Sequence, residues 1–199
     1  MATTNIDLCA RALIMIGASP ISSFSDGSTE ALVASNIYED IAQSSLTRHR
    51  WKFATNQKQL SLLTTVPEGR YDYAYQLPAS PGVLQINTLT VNDHVVSYSR
   101  YKDMIYINSY GANSKLILDY IYRVGEDYFP PHFRLALIYD LASVFAGSIA
   151  RDTAMIREFK TLADRQFLIS KNIDAAEVTN KKINTSRFIT LRNSTRSNV

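Results

Sequence analysis

The hydrophobic period of this chain changes twice, and those two changes limit what it can fold into. Up to residue 53 apolar residues recur every three to four positions. Ile6, Cys9, Leu13 and Ile16 share one helical face, and Ala31, Ala34, Tyr38, Ile41 and Ser45 share another. Across residues 54–128 the period shortens towards two and turn residues recur, which is the pattern of short strands. The helical period returns at Pro130-Pro131. Phe133, Leu137, Leu141, Val144, Phe145 and Ser148 form one stripe, and Leu135, Ile138, Ala142 and Ile149 form a second. A helix apolar on more than one side is expected at the centre of the body. A last helix is predicted on Met155, Phe159, Leu162, Gln166 and Ile169, fading near Ala175. The expected fold is therefore α+β. It comprises a four-helix body from residues 1–53 and 129–175, an inserted small antiparallel β domain at 54–128, and an extended C-terminal arm at 176–199.

Local signals mark where these elements start and stop. Thr4 followed by Asp7 predicts a capping box, with Asp in place of the usual Glu. Gly17 and Pro20 are placed to end the first helix. Asp26 or Ser28 is expected to cap the second, with Glu30 in its first turn, where the helix dipole favours an anion. Pro131 opens the third helix near its first position, and Asp152 is expected to cap the fourth. In the β segment, Tyr73 and Tyr75 alternate before Leu77-Pro78. Residues 83–91 and 94–98 flank Asn92-Asp93, a two-residue hairpin turn. Residues 104–108 and 115–122 bracket a further turn at Gly111. The short strands predict a small sheet or a sandwich.

Charge is distributed unevenly. No acidic residue follows Glu177, whereas the last twenty residues hold Lys181, Lys182, Arg187, Arg192 and Arg196. The rest of the chain is slightly acidic and makes a poor nucleic-acid grip, because such grips depend on clustered cations. Half of residues 180–199 are Ser, Thr or Asn, too polar to offset the cost of ordering alone. Ile183, Phe188, Ile189 and Leu191 nevertheless stand among them as anchors that a partner would bury, beside Arg187 and Arg192. Three readings of this segment stay open: an unstructured terminus, an arm that orders on a partner protein, and a nucleic-acid contact. The longest uninterrupted apolar stretch, residues 12–18, is too short to span a bilayer, so no membrane association is expected. A single cysteine, Cys9, allows no internal disulfide.

Chemistry is conspicuous by its absence. His49, His94 and His132 lie in different elements, and one cysteine cannot build a thiolate zinc site. There is no phosphate loop, dinucleotide fingerprint, nucleophile elbow or HExxH. Asp119, Glu126 and Asp127 read as a strand residue and a solvated loop. No enzyme activity, metal or cofactor is expected. Ten of the twelve tyrosines fall in residues 54–128. They suit sheet packing, a protein interface or, with a cationic groove, base stacking. The basic, aromatic run from Arg48 to Phe53 lies at the helix-to-β junction. There His49, Trp51 and Phe53 are expected to plug the seam between the two parts.

Several runs together resemble one family. Ile6-Asp7-Leu8-Cys9, Ala12-Leu13, the IGASPI of residues 16–21, the DGSTEA of 26–31 and the HRWKFA of 49–54 carry most of the likeness. Residues 73–78 (YAYQLP), Pro131, Ala136-Leu137 and Leu141-Ala142 extend it. This combination resembles the tail tubular protein A family, the head-to-tail adaptors or gatekeeper ring proteins of short-tailed bacteriophages. The chain departs from the family pattern at Arg50, Ala79 and Ser80. The resemblance implies a structural virion protein assembled in the host cytoplasm, forming a homo-oligomeric ring, usually a dodecamer. The ring would lie between the portal protein and the tail nozzle protein, with DNA passing through its channel without sequence specificity. The arm, through Ile183, Arg187, Phe188, Ile189, Leu191 and Arg192, would reach the portal. The alternative is a nucleic-acid-binding module that uses the basic tail and the tyrosine-rich segment.

Overall fold

The computed structural model describes residues 3–64, 67, 69–108 and 114–177. Four helices and two antiparallel sheets give an α+β fold, with the strands inserted between the second and third helices. Helix α1 (Asn5–Met15) opens on the expected capping box: Asp7 N–H donates to Thr4 Oγ1 at 3.1 Å, and Thr4 N–H donates back to Asp7 Oδ2 at 2.9 Å. Gly17 stops it with a positive φ of 77°, a conformation that costs other residues a Cβ clash. Helix α2 (Thr29–Thr47) is capped by Ser28, not Asp26. Asp26 instead ties the preceding loop, accepting from Ser22 N–H at 2.9 Å.

Helix α3 (Pro131–Phe145) continues as a π-helical turn (Ala146–Ala150), which ends at Arg151 in the left-handed region. Asp152 then accepts from Ala154 and Met155 N–H and starts α4 (Thr153–Ala176). The α3 segment is buried nearly all round, as two apolar stripes require. By length and composition Pro131–Ala150 could also cross a membrane. A scan for unbroken apolar runs misses it, because Arg134 and Asp140 interrupt it. Here it is packed against α1, α2 and α4. The predicted α4 stripe holds for its first four members: Met155 and Phe159 pack against the core, Leu162 is half-buried and Gln166 Nε2 donates to His132 O. Ile156, Phe159, Ala163 and Phe167 face inward and lead on to buried Ser170 and Asp174, whereas Ile169 lies outside. Hydropathy alone drew the stripe through Ile169, because Ser170 and Asp174 read as solvent residues.

The strands form two sheets. One has the order β1 (Thr55–Gln59), β7 (Leu116–Tyr122), β3 (Val83–Val91), β4 (His94–Val95); the other has β2 (Tyr73–Gln76), β6 (Met104–Ile107), β5 (Ser99–Tyr101). Asn92 and Asp93 both take positive φ in the β3–β4 turn, as a type I′ hairpin demands. The strand predicted to run on to residue 98 stops at Val95. Gly111 lies outside the described residues, and the strands on either side of it, β6 and β7, enter different sheets. Instead β6 pairs with β5 across a tight turn at Lys102 and Asp103. Leu89, Leu118, Tyr120, Tyr75, Ile105 and Ile107 form a core between the sheets. Ile121, on the opposite face of β7, joins the core of the helical body. This is the period-two alternation of a strand, used to serve two cores at once.

A polar network ties α2 to the chain's return from the sheets. Tyr38 OH donates to Glu126 Oε1 at 2.8 Å, and Arg123 reaches both Glu126 and Glu39. Glu126 is thus no solvated loop residue. Burial opposes its charge, but hydrogen bonds from Arg123 and Tyr38 outweigh this and hold its carboxyl below the usual range. Hydrogen bonding from Arg123 does the same for Glu39. Such depressed carboxyls stabilise the fold above their unfolded pKa, about 4.3, and lose that contribution as pH falls through the folded value. Glu126→Gln should therefore lower the urea midpoint at pH 7, and the gap to the wild type should narrow as the pH falls below about 4.3.

Candidate interaction surfaces

The junction begins where α2 ends. The backbone turns out of the helix at Arg48 to Arg50, a 3₁₀ turn (Lys52–Ala54) follows, and β1 starts at once. Trp51 is fully buried there. Its indole N–H donates to Ser45 O at 3.0 Å, which satisfies the ring's one polar group. Its ring meets Phe133 of α3 at 5.1 Å, Phe167 of α4 at 6.4 Å and Phe53 at 5.8 Å between centroids. Phe53 in turn meets Phe129, the residue that brings the chain back from the sheets, at 6.1 Å. His49 packs edge-on against Trp51 at 4.9 Å. The three residues predicted at the seam thus sit together, at the point where the chain leaves the helices and returns.

Two buried carboxylates brace this seam. Asp140 of α3 receives Arg48 at 2.9 Å and Lys160 of α4 at 2.7 Å. Arg48 also approaches Asp164 at 3.5 Å and lies over the Phe167 ring at 4.6 Å. Arg48 therefore acts across three helices, beyond any effect on the dipole of its own. Asp174, near the end of α4, is the second brace. Its Oδ1 accepts from Lys52 N–H at 3.1 Å, and His49 Nε2 stands 3.6 Å from its Oδ2. The Lys52 ammonium caps the last turn of α4 by donating to the carbonyls of Asp174 and Ala175. A cation at a helix C-terminus also favours the dipole. The end of α4 is thereby fixed to the junction.

Two outward faces remain apolar. On α4, Leu168, Ile169 and Ile173 are 62, 45 and 42% exposed. On the α1–α2 side, Ile14 is 59% and Leu32 63% exposed, and Leu32 and Phe24 line a depression of about 320 Å³. The two faces lie on different elements, one on α4 and the other on α1 and α2. The arm residues Ile183, Arg187, Phe188, Ile189, Leu191 and Arg192 lie outside the described residues.

Sequence reading missed Asp140, Asp174, Phe133 and Phe167 as members of the seam. The available signal was a carboxylate within an apolar helical face, a position held only when a cation reaches it. Among the described residues no group of three His, Cys, Asp or Glu could hold a metal ion. Burial pushes the Cys9 thiol up to about 12, which leaves it unreactive. Comparison with models of known protein families finds no match, and comparison with curated proteins finds none either.

Trp51 is the only tryptophan, so its emission reports on this junction alone. Asp174→Ala removes the acceptor of a half-buried N–H. It should cost about 1–3 kcal/mol in urea unfolding followed by Trp51 fluorescence, with hydrogen-exchange protection lost first in residues 171–176. An unchanged midpoint would remove Asp174 from the junction.

Proposed function

We propose that this chain is a structural adaptor of the tail tubular protein A kind, a ring-forming protein that joins a phage portal to the tail nozzle and encloses part of the DNA channel. The observation that carries this reading is the presence of two separate exposed apolar faces, one on α4 and one on α1 and α2. A contact between two different faces is heterologous, and repeating it gives a ring where the rotation between copies closes and an open filament where it does not. A two-fold dimer would need only one self-complementary face.

The seam supports the same reading. An arm that must find a neighbouring protein works best from a root that does not move. Lys52 and Asp174 hold the last turn of α4 against the body immediately before residue 178. The basic segment beyond, with Phe188 and Leu191 as apolar anchors, fits a groove on a partner better than bare phosphate. A stability role accounts for three of the body's cations: Arg48, Lys160 and Arg123 are each paired with a carboxylate.

The test uses size exclusion with light scattering, on the full chain alone and with the portal protein of the same phage. The wild type is expected to give a closed oligomer or a portal-bound ring. Ile169→Glu with Ile173→Glu should give a folded monomer. Phe188→Ser with Leu191→Ser should leave self-association intact and weaken portal attachment. A monomer that ignores the portal and binds DNA with a steep salt dependence would overturn the proposal.

A further inference from the structure

Three tyrosines of the β part are not used by its core. Tyr71 precedes β2, Tyr101 lies on β5 and Tyr106 on β6. Their ring centroids stand 5.6 to 6.2 Å apart. Together with Pro67, Gly69 and Arg70 they wall a cavity of about 540 Å³, within the size range of small-ligand sites. Two of the rings are fixed from behind: Tyr71 OH donates to Ser99 Oγ at 2.7 Å, and Tyr106 OH to Met104 Sδ at 3.3 Å. Tyr101 is 50% exposed and presents its ring to solvent. The Arg70 guanidinium lies 5.4 Å from the Tyr71 centroid and is the one charged group among the described residues that line the cavity.

We propose that this pocket binds a nucleobase of single-stranded nucleic acid, stacked on Tyr101, with the adjoining phosphate on Arg70. Aromatic faces take any base, and a stacked guanidinium beside them supplies the charge-assisted contact a phosphate needs. A paired base is stacked on both sides and offers no free face, so a duplex does not fit. A docked protein chain is less well matched. It would need a broad apolar patch, whereas this surface consists of hydroxyl-tipped rings and one cation. The proposal is independent of the adaptor reading, since it uses neither the helical faces nor the arm.

The test is fluorescence anisotropy of the full chain with three labelled probes: a short oligothymidylate, the same strand with abasic sites in place of the bases, and a duplex of equal length. The basic tail contributes to all three, so the comparison is between variants. Tyr101→Ala is expected to weaken oligothymidylate binding about fivefold or more and to leave the abasic and duplex probes unchanged. Tyr101→Phe keeps the ring and should keep the affinity, and equal melting temperatures would show that the sheet survives. Arg70→Ala should weaken both the oligothymidylate and the abasic strand. Equal binding of oligothymidylate by wild type and Tyr101→Ala would overturn the proposal. So would a pocket that takes proline-rich peptide and leaves DNA binding indifferent to Tyr101.

Discussion

The burial of Trp51 between Phe133 and Phe167 is the contact on which the rest of the structure depends. The helical body is assembled from two stretches of chain with the whole β segment between them, and closing such a loop costs entropy before any contact forms. A buried tryptophan is well suited to offset that cost: truncating one costs about 3–5 kcal/mol. It holds α2, α3 and α4 together at the one place where the chain leaves the body and returns. Asp140 and Asp174 add direction. Asp140 at that depth tolerates only an arrangement that brings Arg48 and Lys160 to it, and Asp174 takes the Lys52 backbone N–H; together they set how α4 lies.

That arrangement has consequences at both ends of the molecule. Ile121 belongs to the helical core while its strand neighbours Leu118 and Tyr120 belong to the sheet core, so the β part is attached by a shared strand. At the other end, α4 is both the outermost helix and the root of the basic segment. Under the proposed adaptor reading one helix therefore serves two partners, the next copy along its exposed face and the portal beyond its end. Nothing in this scheme asks for catalysis. Arg48, Lys160 and Arg123 are used in pairs with carboxylates that brace the helical body.

Much of this was legible from residue patterns. The two changes of period located the β insertion, and the capping residues Thr4, Ser28 and Asp152 marked helix starts, because these are local effects with strong geometry. The seam was legible through Trp51 and Phe53, since aromatic residues at a junction have few other uses. Its carboxylate braces were not, because Asp140 and Asp174 acquire their meaning only from partners distant in sequence. Of the two arrangements expected, a small sheet or a sandwich, the two-sheet one forms, and which strands pair was not legible for the same reason. Strand period fixes which residues share a face, but the pairing of β7 with β1 and β3 is long-range. The α4 stripe slipped only at Ile169, because buried Ser170 and Asp174 carry no hydrophobic signal.

Disulfide trapping tests the head-to-tail contact most directly. Leu32→Cys and Ile169→Cys would be placed singly and together in the full chain, with Cys9 silent through burial, and the proteins oxidised at high concentration. The account predicts monomers from each single variant and a ladder of linked oligomers from the double variant. Dimers from either single variant, as a two-fold contact would give, or no ladder from the double variant, would contradict it.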